Sequence, residues 1–252
     1  PDAEGYPVVY LLDGNASFPI AAANLAIQSR RAETTGVRPA ILVGIGYPTT
    51  NWLDAERRTY DYTPRIERDV LPSRPDDSPW PANGGADNFL DFLQDELQPL
   101  IENEFKIDRR QSALFGHSFG GLFVLHTLFT RPLAFRRYIA ASPSIWFGSD
   151  HLLSEMNAFL TLRESRETRS LLVTVGSLEQ TGSGSRQSVS DHHAPWIARN
   201  RMVDNARDLV AKLSTIEADR LKVVFKEFED ENHGSVVPAA ISRALRFSLG
   251  TV

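Results

Sequence analysis

Gly116-His117-Ser118-Phe119-Gly120 is a G-x-S-x-G within the stretch LFGHSFGGL. A serine in this pattern is the nucleophile of acyl transfer when it stands on a sharp turn between a strand and a helix. The pattern alone is common, so its surroundings decide. An apolar run ends at Gly116, and a helical pattern through Leu122, Val124, Leu125 and Leu128 begins just after Ser118. Such a turn forces the serine into a strained backbone conformation, and the flanking glycines let strand and helix approach closely.

A serine hydroxyl is a poor nucleophile at neutral pH and needs a base within hydrogen-bonding reach. Six histidines are available. His117 lies inside the turn and is expected to point away from Ser118. His126 falls two turns into the following helix, and His151 follows the fourth apolar run. His192 and His193 are adjacent in a glycine- and serine-rich stretch. His233, in FEDENHGS, directly follows the last run. Where a G-x-S-x-G turn carries a triad on an α/β sheet, the base comes last in the chain, so His233 is the expected base. The third member orients the imidazole and stabilises its charge. Glu179, in VGSLEQ, is the expected acid; Asp191 is a distant second, and Asp230 and Glu231 are near His233 only in sequence. Two backbone N–H groups must hold the oxyanion. Phe119, after the nucleophile, supplies one. The other is expected from LLDGNASF, where Gly14 permits the turn and the Asn15 N–H faces the site.

The elements that must position these residues are legible as apolar runs. Residues 7–12 (PVVYLL), 38–47, 111–116, 137–141, 170–176 and 221–228 read as strands buried on both faces, as parallel strands are. Residues 86–104 form a helical pattern whose apolar positions step by three and four, with a kink expected at Pro99. Residues 196–213 and 239–249 also read as helices. The alternation predicts an α/β fold with one open, mostly parallel sheet, in a single domain over residues 1–252. Two long connections, 48–85 and 177–195, leave the carboxyl edge of the sheet, where such folds bind ligands.

Composition excludes other classes. Of 252 residues, 42% are hydrophobic, ample for a large core. The net charge of -5 lacks the basic footprint of a nucleic-acid surface. The absence of cysteine rules out disulfides, thiolate metal sites and a cysteine nucleophile. No apolar run approaches membrane-spanning length. Asp191-His192-His193 invites a metal reading but has no third ligand at suitable spacing, so no cofactor or metal is expected. The chain begins at Pro1, and an upstream segment is expected to precede it.

Five motifs in order, PVVYLLDGNASF, RTYDYTP, GGADNFLDFLQDELQPLIE, IDRRQSALFGHSFGGLFVLHTLF and ASPSIWF, resemble the esterase family of α/β-hydrolases that includes the siderophore trilactone esterases. Those enzymes open the triserine trilactone of enterobactin and salmochelin. The resemblance runs from about residue 7 to the C-terminus. It implies an α/β-hydrolase fold whose early strands lie outside the chain, a serine esterase acting on a small-molecule ester (a ferric or free catecholate siderophore), and a periplasmic location, with the cytoplasm as alternative. It carries the nucleophile to Ser118 and the base to His233. Some trilactone esterases work with a Ser–His pair, so Glu179 implies a full triad here. Arg58 matches an arginine that lines the site, Tyr62 in the same motif is expected to contact substrate, and Trp146 is expected to wall the pocket. Composition gives no support for an anion-attracting mouth, because the loop over residues 48–85 is net acidic despite Arg57, Arg58, Arg65, Arg68 and Arg74. Its aromatics Trp52, Tyr60, Tyr62 and Trp80 either stack on catechol rings or anchor the loop, and at least half are expected to anchor it. The rival readings are a general carboxylesterase or acyltransferase of the same family, and a binding protein on a hydrolase fold.

Overall fold

Six apolar runs become six parallel strands: β1 (Tyr6–Leu11), β2 (Ile41–Gly44), β3 (Ile107–His117), β4 (Arg137–Ala141), β5 (Arg169–Gly176) and β6 (Leu221–Phe228). They form one sheet in the order β2-β1-β3-β4-β5-β6. A computed structural model describes residues 5–67, 69–161, 168–181, 193–216 and 218–250 of the chain. β2 is shorter than its apolar run. β3 is longer, because Tyr6 pairs with Ile107 and a register shift before Val8 absorbs the polar residues that follow.

Alternation along each strand divides the core in two. Val8, Tyr10, Leu12, Leu114, Tyr138, Leu171 and Val173 face one side. There they meet α3 (Ala55–Tyr62), α4 (Ala86–Phe92), α6 (Phe119–Thr130), α7 (Ser149–Thr161) and α9 (Met202–Leu213). Val9, Leu11, Ala113, Phe115, Ile139 and Leu172 face α1 (Gly14–Ser29) and α10 (Val236–Leu249). α6 is buried from Phe119 to Phe129, as suits a helix apolar on every side.

Local differences from the sequence reading have physical causes. The helical pattern over 86–104 is broken by a π-helical turn, Leu93–Leu97, before α5 (Gln98–Glu104). Pro99 sits in the first turn of α5, and the wider turn ahead of it makes room for a ring that would otherwise strike the preceding helical carbonyl. The pattern over 196–213 is two helices, α8 (His193–Asn200) and α9, broken at Arg201 in a left-handed conformation (φ 45°). α10 starts before Pro238, which a first turn accepts. α3 lies in the connection over 48–85 and has no apolar periodicity, because its buried residues are Arg58, Thr59 and Tyr62. Asp54 caps it, accepting from the Arg57 N–H at 3.0 Å.

The β3–α6 turn holds Ser118 at φ 61°, ψ −117°. A Cβ on Gly116 would overlap the Gly120 carbonyl. The second close approach is made by Gly121, not Gly120. A Cβ there would lie 2.8 Å from the Ala141 oxygen, whereas on Gly120 it would meet nothing nearer than Leu12 at 3.5 Å. Gly121→Ala is therefore expected to cost about 1–3 kcal/mol of stability, and Gly120→Ala less than about 1 kcal/mol. Urea unfolding of both variants checks this; equal losses would contradict it.

Candidate active site

The turn that carries Ser118 is clamped by the connection after β4. The Ser118 N–H donates to the Ala141 oxygen at 3.0 Å, and the Ser118 carbonyl accepts from the Ser144 N–H at 3.1 Å. The Ser118 Oγ lies 3.3 Å from the Ser144 Oγ.

Glu179 and His233 meet because the turns after β5 and β6 are laced together. The Ser177 N–H donates to the Phe228 oxygen (2.9 Å) and the Leu178 N–H to the Glu231 oxygen (3.0 Å). The Asp230 N–H donates to the Ser177 Oγ (3.0 Å). A Cβ on Gly176 would collide with the Glu231 carbonyl, so only glycine lets these turns close. The Glu179 side chain is fully buried, and the His233 side chain is 45% exposed. Glu179 Oε1 accepts from the Gly176 N–H and the Ser142 hydroxyl, both at 2.6 Å. Its Oε2 lies 2.6 Å from His233 Nδ1. A carboxylate only accepts, so three donors converging on it assign the Nδ1–H tautomer and leave Nε2 with the lone pair a base needs. Among the described residues the Ser118 hydroxyl is hydrogen-bonded to Ser144 and not to His233.

Asn15 and Phe119 stand in the first turns of α1 and α6, where N–H groups have no intrahelical partner. Among the described residues neither N–H has a backbone acceptor. The Asn15 side chain has a separate task. Its Nδ2 donates to the Tyr47 and Thr49 carbonyls (3.1 and 3.2 Å), and its Oδ1 accepts from the Tyr47 N–H (2.9 Å). It thereby fastens the start of α1 to the segment after β2.

Arg58 and Tyr62 stand in a buried cluster around Asp13. Arg58 is 8% exposed. Its Nε and Nη2 donate to the two carboxylate oxygens of Asp13 at 2.9 Å each, and Nη2 also reaches the His117 carbonyl at 3.3 Å. Tyr62 is fully buried, and its hydroxyl accepts from the Asp13 N–H at 3.1 Å. Both hold Asp13, two residues before Asn15. The cause is Asp13, a buried carboxylate in a left-handed conformation (φ 51°) that needs a charged partner and a fixed peptide. The His117 ring packs on that of His233, with centroids 4.6 Å apart. Burial, with the charges of His233 and Arg58, pushes its pKa well below the ordinary 6.5.

Trp146 packs against Phe119 and two further indoles, Trp80 and Trp196, and is partly exposed. Trp80 donates its Nε1–H to the Pro72 carbonyl at 2.7 Å, while Trp52 and Tyr60 are exposed. His126 and His151 both bond Glu155 Oε1, away from Ser118 in the chain's packing between α6 and α7. Asp191 and His192 lie outside the described residues. Asp13, Ser142, Ser144 and Trp196 were not foreseen. ASPS, right after a strand, was the one available signal for the two serines.

A parallel sheet with a serine on a strand-to-helix turn, and a carboxylate–imidazole pair in the turns after the last two strands, defines an α/β-hydrolase. The chain belongs to the putative esterase family, whose model matches residues 1–204, and it is an esterase. It is 41% identical over 250 residues to the ferri-bacillibactin esterase BesA of Bacillus subtilis (strain 168), covering 99% of this chain and 81% of the relative. It is 39% identical over 249 residues to a siderophore enterobactin esterase of Emericella nidulans, covering 95% and 80%. The crystal structure of the BES protein from Bacillus cereus is similar, with a TM-score of 0.85 at 43% identity, over 100% of this chain and 87% of that one. No helix among the described residues is long and apolar enough to cross a membrane.

Two outcomes follow from the geometry. Arg58→Ala leaves the Asp13 carboxylate buried without a partner and is expected to cost about 3–5 kcal/mol in urea unfolding; a loss below about 1 kcal/mol would refute the clamp. His117 binds a proton near pH 6.5 in the unfolded chain but not in the folded one. Stability therefore rises with pH through that window and falls as pH drops below it, by up to about 1.4 kcal/mol per pH unit. Unfolding free energies at several pH values between 7.5 and 5.5 are expected to fall less steeply for His117→Gln than for the wild type. Identical slopes would contradict this.

Proposed function

We propose that this esterase hydrolyses the trilactone of catecholate siderophores, with Ser118 as nucleophile, His233 as general base and Glu179 as the residue that orients it. The observation that carries the catalytic reading is the buried Glu179 carboxylate on His233 Nδ1 at 2.6 Å. The substrate reading is supported by relatives named for bacillibactin and enterobactin. Ser118 Oγ attacks an ester carbonyl while its proton passes to His233 Nε2. The N–H groups of Phe119 and Asn15 take the developing oxyanion, each contributing on the order of 3 kcal/mol to transition-state stabilisation. Collapse expels the alkoxide of a backbone serine of the trilactone, which receives the proton from His233. Water, deprotonated by the same imidazole, then releases the acyl group, leaving a linear product with one new carboxylate and one new hydroxyl.

The Ser142 hydroxyl and the Gly176 N–H keep the Glu179 carboxylate in place, so Glu179→Gln, which both removes the charge and offers a wrong donor, is expected to lower kcat on the order of 10³–10⁴-fold. Ser118→Ala should fold normally and lose several orders of magnitude in turnover. Incubation with iron-loaded and iron-free enterobactin, followed by chromatography beside a simple aryl ester, checks both. Linear fragments that still form with Ser118→Ala would refute the nucleophile. Aryl-ester cleavage with the trilactone left intact would refute the substrate.

A further inference from the structure

Three tryptophans from separate segments meet beside the nucleophile. Trp80 comes from the connection between α3 and α4, Trp146 from that between β4 and α7, and Trp196 from α8. Their ring centroids lie 5.9 Å (Trp80–Trp146), 6.1 Å (Trp80–Trp196) and 5.2 Å (Trp146–Trp196) apart. Phe119, the residue after Ser118, lies 6.1 Å from Trp146 and 6.5 Å from Trp80. Trp146 is two residues beyond Ser144, whose hydroxyl touches that of Ser118. The cluster therefore borders the place where the acyl carbonyl must sit.

Packing alone does not account for it. Phe147, beneath the indoles, is fully buried, as a core ring is. The three indoles each keep part of their surface in solvent. Two of them are also held by the fold. Trp80 is held by its bond to the Pro72 carbonyl and by the Arg74 guanidinium 5.5 Å from its centroid. Phe119 and Phe147 support Trp80 and Trp146 from below. A ligand ring meeting such a surface loses little to ordering the protein.

Among the described residues of this loop the arginines are engaged with carboxylates. Arg58 is committed to Asp13. Arg57, Arg65 and Arg74 each lie within ion-pair distance of a carboxylate of their own segment, Asp54, Glu67 and Asp76. Exposed pairs of this kind are weak, and each sets a negative charge beside its arginine. The indole cluster offers stacking to a bulky substrate.

We infer that Trp80, Trp146 and Trp196 form an aryl subsite that takes a planar ring of the substrate, one catecholamide ring of a trilactone, and so makes the enzyme prefer aryl-bearing over aliphatic siderophore esters. The inference deepens the proposed function and rests on it for the identity of the ring.

The test separates binding from turnover. In a Ser118→Ala, Trp52→Phe background, which removes hydrolysis and the exposed distant indole, tryptophan fluorescence is followed during titration with N-(2,3-dihydroxybenzoyl)serine and, separately, N-acetylserine. The aryl compound is expected to quench saturably and the acetyl compound not. Trp196→Leu or Trp146→Leu is expected to weaken aryl binding about tenfold, the scale of one good ring contact. In the active enzyme, the ratio of kcat/KM for enterobactin over the tri-N-acetylserine trilactone is expected to fall about tenfold in the same variants, through KM. Equal quenching by both compounds, or an unchanged ratio, would overturn the subsite. Ring binding with no trilactone hydrolysis would instead overturn the siderophore reading and leave the subsite standing.

Discussion

Ser118 is held at a positive φ that a side chain rarely adopts, and the rest of the site is built around that one constraint. Such a residue costs on the order of 1–3 kcal/mol and persists only when its surroundings over-determine it. The surroundings are specific. Gly116 and Gly121 admit backbone where any Cβ would collide. The Ala141 carbonyl and the Ser144 N–H grip the serine peptide from the next strand's connection. α6 then carries the load into the core, buried along nearly its whole length. The strain and the burial are one arrangement, because the sharp turn is what aims α6 back across the sheet.

The second fixed point is the Asp13–Arg58 pair. A buried ion pair adds little net stability, but it enforces one geometry, because either charge alone would be costly there. Here it ties three segments together: the loop presenting Asn15, the helix α3, and the His117 carbonyl on the turn itself. Tyr62 closes the same junction from the Asp13 peptide. The position of the loop carrying Asn15 relative to the turn at Ser118 is therefore set by buried side chains. An oxyanion hole works only when its donors are in place before charge develops.

On the far side of Ser118 the constraint is the β5–β6 pairing. That register brings the turns after both strands together, and the hydrogen bonds between them deliver Glu179 to His233. The imidazole is then enclosed on one side by the neutral His117 ring and left open on the other. Trp146 of the aromatic cluster lies on the connection after β4, which also supplies Ser142 to the Glu179 carboxylate and Ser144 to Ser118. One short segment thus contacts Ser118, the carboxylate that bonds His233, and the other indoles of the aromatic cluster.

What the sequence determined by itself was periodic or local. Apolar runs of strand length specify buried parallel strands, since both faces must be covered, and the G-x-S-x-G with its flanking patterns specifies the turn. Chain order then places Glu179 and His233 after the last two strands. What only the tertiary structure decided was the use of groups whose type is ambiguous. An arginine in a loop reads equally as a substrate contact or as a partner for a buried carboxylate. Arg58 became the latter because Asp13, a residue without periodic signal, lies buried opposite it. Helix α3 was illegible because its buried face is polar, and polar burial leaves no hydrophobic period. Trp196 was ordinary in sequence and became part of the site only when α8 brought it to Trp80 and Trp146. Sequence patterns record what each segment must bury against the core. They do not record which distant polar or aromatic group will satisfy it, because that depends on the register and approach of segments that meet only after folding.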